Sequence, residues 1–156
     1  MTRSTVLTLG LVFASALTAR AFEDDAKAQA QAILDKGAAL FDKKDAAAMA
    51  ATYSEDGQIL WVAKEENSSE VKIDTKKGRA EVEAFYRDLY KNPDEKFSSK
   101  NVVEFARLVE PGLLVIQGTF QPDVAKSGKY PFTQVRVKQG DKWLIKSLQF
   151  FLFSQD

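Results

Sequence analysis

The side chains that most often perform enzyme chemistry are missing from this chain. It contains no histidine and no cysteine, so it lacks the commonest general base, the commonest metal ligand and the thiol nucleophile. A thiolate or zinc site and a Ser-His-Asp triad therefore cannot be built from it. We expect no cofactor and no metal. The groups that remain for chemistry are carboxylates, tyrosines, hydroxyls and amides.

The carboxylates form no recognisable catalytic constellation. Asp74, Glu104 and Asp123 fall in different predicted elements, and their spacing gives no reason for two of them to converge on one water molecule. General acid–base chemistry by paired carboxylates needs such convergence. The sequence therefore identifies no catalytic residue.

The end of the chain has the composition of an antiparallel hairpin. Residues 130–139 and 142–153 are rich in β-branched and aromatic side chains, and Gly140-Asp141 stands between them. Glycine in such a turn supplies the positive φ that the turn requires. We predict that the rest of the chain packs against this hairpin.

The register of the hairpin decides which side chains face inward, because successive side chains on a strand point to opposite faces. An odd connection with a glycine bulge would place Val137 opposite Trp143. We expect this register, because it keeps charged side chains off the inner face. An even two-residue turn would instead place Arg136 beside Trp143. In the expected register Thr133, Val135 and Val137 point inward, while Gln134, Arg136 and Lys138 point to solvent or a partner.

Under that register an aromatic wall surrounds two polar side chains. Ser147 and Gln149 would orient a small apolar molecule by hydrogen bonds, which is the usual composition of a ligand pocket. The alternative is that the aromatic side chains simply form the core and that Gln149 is satisfied by a backbone group or water. The predicted pocket residues are Tyr53, Trp61, Phe85, Tyr86, Trp143, Ser147 and Gln149.

The same register gives the last strand an apolar outer face. Leu144, Leu148 and Phe150 would lie on the convex side of the sheet, near Lys146. Monomers seldom expose an apolar stripe of this size. We therefore predict a homodimer that forms through these residues.

The chain begins with the pattern of a secretory signal, which we assign to residues 1–21. Arg3 precedes an apolar run over 6–17 that is too short to span a bilayer, and Ala19-Arg20-Ala21 fits a cleavage site. Cleavage after Ala21 predicts a secreted or periplasmic protein without a membrane attachment. The alternative is an uncleaved membrane anchor.

The charge balance argues against a nucleic-acid partner. The whole chain has 22 basic and 22 acidic residues, and Arg3 and Arg20 fall in the signal, which leaves 20 basic and 22 acidic residues after cleavage. No polybasic face follows from this composition. A polar loop over 65–70 includes Asn67-Ser68-Ser69, which matches the short pattern for N-glycosylation.

Residues 22–156 read as a single domain of class α+β. We expect a cone-shaped, curved antiparallel sheet with three helices packed on its concave side. Apolar spacing and turn residues delimit the elements. The predicted helices are 26–41, 46–53 and 78–90, and the predicted strands are 58–63, 71–74, 97–109, 113–121, 130–139 and 142–153.

Three segments, 41–57, 78–86 and 140–145, carry a family resemblance. In this order and spacing they resemble the entry helices, the third helix and the closing hairpin of the nuclear transport factor 2-like (NTF2-like) superfamily. The likeness is to its SnoaL-like branch and to exported domains of unknown function. It implies a cystatin-like roll, and sheet-to-sheet dimers are common among its members. They include ketosteroid isomerases, polyketide cyclases and dehydratases, as well as domains without catalysis.

The isomerase groups implied by that resemblance are not found at matching positions. The base carboxylate would fall on or near Trp61, the helical tyrosine would fall near Gly37, and residues 130–139 contain no acid. We therefore expect an exported domain that binds a small hydrophobic molecule or a protein partner without evident catalysis. The alternative is an enzyme of the isomerase, cyclase or dehydratase kind that uses an unidentified pocket acid or tyrosine.

Overall fold

The computed structural model describes residues 10–64, 70–91, 98–123 and 128–153, with side chains from residue 24 onward. The first nine residues of the predicted signal and the Asn67 pattern lie outside this range. Cleavage after Ala21 stays a prediction. No helix in the described ranges combines the length and the apolar character needed to cross a membrane.

The three predicted helices are present, with shifted ends. The first extends further toward the N-terminus than predicted. Asp45 caps the second, because its carboxylate accepts a hydrogen bond from the backbone N–H of Ala48 at 2.9 Å. This helix ends before Tyr53, which therefore begins the first strand instead of ending the helix. The bounds are α1 Gly10–Asp42, α2 Ala46–Ala51 and α3 Arg79–Leu89.

Six strands form one sheet in the order β2-β1-β6-β5-β4-β3. Four of the neighbouring pairs are antiparallel, as predicted, while β1 and β6 run parallel. The curved α+β sheet with its helices confirms the predicted fold class. The strands are β1 Tyr53–Lys64, β2 Val71–Lys77, β3 Ser99–Glu110, β4 Leu113–Pro122, β5 Tyr130–Gln139 and β6 Lys142–Phe153.

The register predicted for the closing hairpin is wrong. Gln139 pairs with Lys142 and Lys138 pairs with Trp143, so the turn contains the even number of two residues. Gly140 has a φ of 59°, the left-handed conformation that favours glycine. The positive φ was foreseen, but the parity that it produces is the alternative one.

A β-bulge in β6 changes the facing of the residues that follow it. Val135 pairs with Ser147 and Arg136 pairs with Ile145, so Lys146 is an extra residue without a partner in the ladder. The ammonium of Lys146 donates to the carboxylate of Asp56 in β1. The bulge shifts the alternation by one residue for everything that follows in β6.

The core lies between the helices and one face of the sheet. Ala26, Ala30 and Leu34 are buried at four-residue spacing along α1 and face the sheet. Gln31 attaches α1 to β3, because its amide donates to Asn101 O at 2.8 Å and accepts from the N–H of Val103 at 3.0 Å. These two hydrogen bonds fix the distance between α1 and the sheet. The cavity described below lies in the space between them.

Candidate ligand-binding cavity

The helices and the inner face of the sheet enclose a cavity of about 410 Å³. This volume lies in the range of ligand pockets, roughly 300–1,000 Å³. All three helices and five of the six strands contribute to its wall, which is mainly apolar. The aromatic members of the lining are Phe41, Trp61, Phe85, Tyr86, Phe120, Tyr130, Phe132 and Phe150.

The aromatic side chains pack against one another along the wall of the cavity. Trp61 and Phe85 have ring centroids 4.5 Å apart, and Phe85 meets Tyr86 edge-on at 5.1 Å. Phe41 contacts Phe120 edge-on at 5.4 Å. Such pairs add to the stabilisation from burial and hold the rings in defined orientations. The wall of the cavity is therefore preformed by contacts within the protein.

Two buried tyrosines share a hydrogen bond beside the cavity. The hydroxyls of Tyr53 and Tyr86 are 3.0 Å apart, and either can be the donor. Burial raises the pKa of Tyr86 to about 12 and raises the pKa of Tyr53 well above its usual value. The nearby charge of Arg136 opposes the rise of both pKa values. Both hydroxyls are therefore neutral at physiological pH, and Tyr86 is the one that lines the cavity.

Arg136 is a buried cation in the cavity wall. Arg136 is only 5% exposed. Its Nε donates to Gln134 Oε1 at 2.5 Å and its Nη1 donates to Trp143 O at 3.0 Å. Burial lowers the pKa of Arg136 to about 10. The guanidinium therefore stays charged at neutral pH, although both of its hydrogen-bond acceptors are neutral.

The neutral polar groups of the wall are engaged with the scaffold. The hydroxyl of Thr52 donates to Met49 O at 2.7 Å, and the amide of Asn101 donates to Leu34 O at 3.4 Å. The lining formed by the described residues includes no aspartate or glutamate. Within the described ranges, no group of acidic side chains is arranged to hold a metal ion. The site offers apolar contacts, a hydroxyl and one cation.

The structure brings together three of the seven predicted pocket residues. Trp61, Phe85 and Tyr86 line the cavity. Tyr53 is fully buried behind Tyr86, to which it is bonded. It supports the wall without belonging to the lining.

Three other predicted pocket residues are absent from the lining, and for Ser147 and Gln149 the reason is the bulge at Lys146, which reverses the facing of the residues after it. Ser147 and Gln149 pair with Val135 and Thr133, away from the side chains that line the cavity. Trp143 packs at the edge of the core, half-buried, and its backbone carbonyl accepts from Arg136. The inward direction predicted for Ser147 and Gln149 is therefore wrong.

The same correction applies to the predicted dimer surface. Leu148 and Phe150 line the cavity, so they do not form the convex face of β6. Leu144 precedes the bulge and points to the opposite face from Ile145, where it is 8% exposed. The dimer surface drawn through these three residues cannot exist as predicted.

Two polar residues of the site were not predicted from the sequence. Gln134 and Arg136 were expected on the solvent face of β5, and both are buried in the cavity wall. A signal for Arg136 did exist, because an even turn would place it beside Trp143. The expectation that charge avoids an inner face decided against that register.

The chain matches no protein-family model and no curated protein. Its fold, in contrast, is shared by many solved structures. A cystatin-like domain of unknown function from Nostoc punctiforme aligns with a TM-score of 0.62 and 16% identity, over 84% of this chain and 79% of that one. An NTF2-like protein of unknown function from Shewanella oneidensis aligns with a TM-score of 0.61 and 16% identity, over 76% and 92% of the two chains. The chain has the NTF2-like fold.

The NTF2-like domain is also similar to ActVI-ORFA from Streptomyces coelicolor. That structure aligns with a TM-score of 0.55 and 19% identity, over 79% of this chain and 93% of the other. Identities this low establish the fold and leave the function to the site itself. The resemblance stated from the three sequence segments is confirmed at the level of the fold.

Proposed function

We propose that this NTF2-like domain is an exported protein that binds one small, mainly apolar molecule in the cavity and does not transform it. The observation that carries the proposal is the preformed cavity of about 410 Å³ with its aromatic wall. A pocket of this size and lining buries most of a small ligand and gains the free energy of removing apolar surface from water. Export rests on the signal pattern of residues 1–21.

Binding without catalysis is preferred over an isomerase-like reaction on chemical grounds. That reaction needs a carboxylate placed to take a proton from the ligand. The described residues of the wall supply none. The tyrosine pair could donate a hydrogen bond to a ligand oxygen, which orients the ligand but does not remove a proton from carbon.

Gly37 allows a direct test of the cavity. It lies in α1 and lines the cavity, and a Cβ placed on it would meet no atom within 4 Å. Gly37→Phe should fill the cavity with a ring, while Gly37→Ala should leave most of the volume open. Both changes replace a glycine inside a helix, so neither should lower the helix stability, and alanine should raise it by about 1 kcal/mol.

The assay is the fluorescence of the neutral probe N-phenyl-1-naphthylamine on the full chain and on the chain from residue 22. We expect saturable binding to the parent protein and to Gly37→Ala, and loss of binding in Gly37→Phe with an unchanged thermal midpoint. Native mass spectrometry of the exported protein should detect one retained small molecule per subunit. No saturable binding by the parent, or equal binding by the folded Gly37→Phe, would contradict the proposal.

We also propose a homodimer, through a different set of residues from those first predicted. Val62 pairs with Ile73 on one side and with Phe151 on the other. Because Trp61 and Phe150 line the cavity, the alternation of side chains puts this trio on the outer face. Ile73 is 63% exposed and Phe151 is partly exposed, whereas Val62 between them is only 8% exposed. A second copy presents the same apolar surface and can cover it by two-fold symmetry.

A further inference from the structure

The buried guanidinium of Arg136 lacks a counter-ion within the described part of the chain. None of the ion pairs formed by the described residues includes Arg136, and its two acceptors are the neutral oxygens of Gln134 and Trp143. A guanidinium has five N–H donors, of which these bonds use two. Burial of a charge is costly unless the charge is paired. The cavity wall therefore contains an unbalanced positive charge with donors to spare.

The two residues that hold Arg136 also orient it. Gln134 is 3% exposed and lies on the same face of β5, two residues away. Its amide oxygen accepts from Nε, while the carbonyl of Trp143 accepts from Nη1. A side chain fixed at two of its three nitrogens has lost most of its rotational freedom before a ligand arrives. Such preorganisation is typical of a binding group, since less entropy remains to be lost on binding.

A hydroxyl proton is available in the cavity that Arg136 lines. The Tyr53–Tyr86 hydrogen bond uses one of the two hydroxyl protons. When Tyr53 is the donor, the proton of Tyr86 is free to be donated into the cavity that Tyr86 lines. Arg136 and Tyr86 line the same cavity, and the charge of Arg136 opposes the rise in pKa of both tyrosines. Arg136 and Tyr86 therefore both offer donors to a ligand, and the described residues of the lining include no acid that competes with it.

We propose that the ligand is a monoanionic amphipathic carboxylic acid whose carboxylate pairs with Arg136 and whose apolar body fills the aromatic cavity. This inference rests on the proposed function. The planar fork of arginine matches the two oxygens of a carboxylate, with which it forms two parallel hydrogen bonds. A doubly charged phosphate would remain half-neutralised, because the described lining offers a single cation.

The volume limits the size of the acid. A cavity of about 410 Å³ holds roughly fourteen units of the size of a water molecule, at about 30 Å³ each. The carboxylic acid should therefore have on the order of ten to fifteen non-hydrogen atoms. Bicyclic aromatic acids and medium-chain fatty acids fall in this class.

The experiment compares two probes of equal shape and different charge, 2-naphthoate and 2-naphthamide, by isothermal titration calorimetry at pH 7 on the full chain. We expect the parent protein to bind the acid about tenfold to hundredfold more tightly than the amide, which is the effect of a charged hydrogen bond. In Arg136→Met the preference for the acid should disappear, while the amide keeps its affinity within about threefold. This comparison separates the charge of the guanidinium from its apolar contacts.

The outcomes distinguish this inference from the proposed function. Equal binding of acid and amide by the parent protein overturns the role of Arg136 and leaves the apolar cavity standing. A preference for the acid that survives in Arg136→Met also overturns it. If neither probe binds and the neutral fluorescent probe fails as well, the proposed function falls and the inference falls with it. Equal binding of acid and amide by the parent protein would overturn the inference even if Arg136→Met does not fold.

Discussion

Removing one hydroxyl of the Tyr53–Tyr86 pair should cost more than removing both. Within the described part of the chain, each hydroxyl finds its hydrogen-bond partner only in the other, at 3.0 Å. Tyr86→Phe strands the hydroxyl of Tyr53, whose residue is 0% exposed. A buried donor without a partner costs about 1–3 kcal/mol. Tyr53→Phe should cost less, about 1 kcal/mol, because the hydroxyl of Tyr86 can still reach the cavity.

The double variant Tyr53→Phe/Tyr86→Phe removes both polar groups and leaves rings of the same shape. Replacing both partners by apolar groups is nearly neutral, so we expect it to be more stable than Tyr86→Phe alone. The double-mutant cycle should therefore give a coupling free energy of about 2–4 kcal/mol in magnitude, which is the sum of the two single effects when the double variant is neutral. Once one hydroxyl has been removed, removal of the other breaks no further hydrogen bond.

The cycle is measured by urea unfolding at pH 7, followed by tryptophan fluorescence, with four proteins and a common slope. Tyr130→Phe serves as the control, because Tyr130 is half-buried and makes no described hydroxyl bond; it should change the unfolding free energy by less than about 0.5 kcal/mol. Additive single effects, or a double variant less stable than Tyr86→Phe, would refute the reasoning, since the hydroxyls would then be satisfied by other groups.

Two further predictions follow from the tyrosine pair and the outer face. Because burial raises the pKa of Tyr86 to about 12, its contribution to stability is complete below its ordinary pKa near 10 and is lost as the pH rises to 12. Between pH 10 and 12 the unfolding free energy should therefore fall by about 2 kcal/mol more in the parent than in Tyr86→Phe. Arg136, whose pKa is lowered, has the opposite effect on stability, but it is present in both proteins and cancels in the comparison. An equal fall in the two proteins would be evidence against the raised pKa of Tyr86. For the dimer, Ile73→Glu should sediment as a monomer in sedimentation velocity. The control Val109→Glu, on the far edge strand β3, should remain a dimer. A parent protein that sediments as a monomer at micromolar concentration would contradict the proposal.

The elements could be predicted from the sequence because each depends on local signals. The cap at Asp45, the amphipathic spacing of α3 and the turn at Gly140 all act over a few residues, and all three elements are present. Most observed ends of the helices and strands differ from the predicted ends by only a few residues. The exceptions are the start of α1 and the start of β1, which takes in Tyr53.

The facing of the closing hairpin could not be predicted, because it depends on single residues. One residue more or fewer in the turn reverses the pleat, and the extra Lys146 reverses it again within β6. The sequence of β6 is apolar on both faces, so its composition does not choose between them. Leu148 and Phe150 therefore fit the outer face as well as the inner face when only their types are considered.

The position of Arg136 was missed for a different reason. The rule that charged side chains avoid the inner face of a sheet holds when the interior is filled only by protein side chains. The rule loses its force when the interior is a cavity, because water or a ligand can then face the charge. The charged residue that breaks the pattern thus marks the part of the fold where sequence rules about cores do not apply.

The position of β6 determines when the cavity can come into existence. The last strand lies in the middle of the sheet, between β1 and β5. The segments β1–β2 and β3–β5 each form from neighbouring stretches of chain, but only β6 joins them into one sheet. Contacts between β1 and β6 close a loop of almost the entire domain, and such non-local contacts form slowly. A chain whose β6 is still inside a ribosome can therefore hold two partial sheets, yet it has no cavity until β6 is free to insert between them.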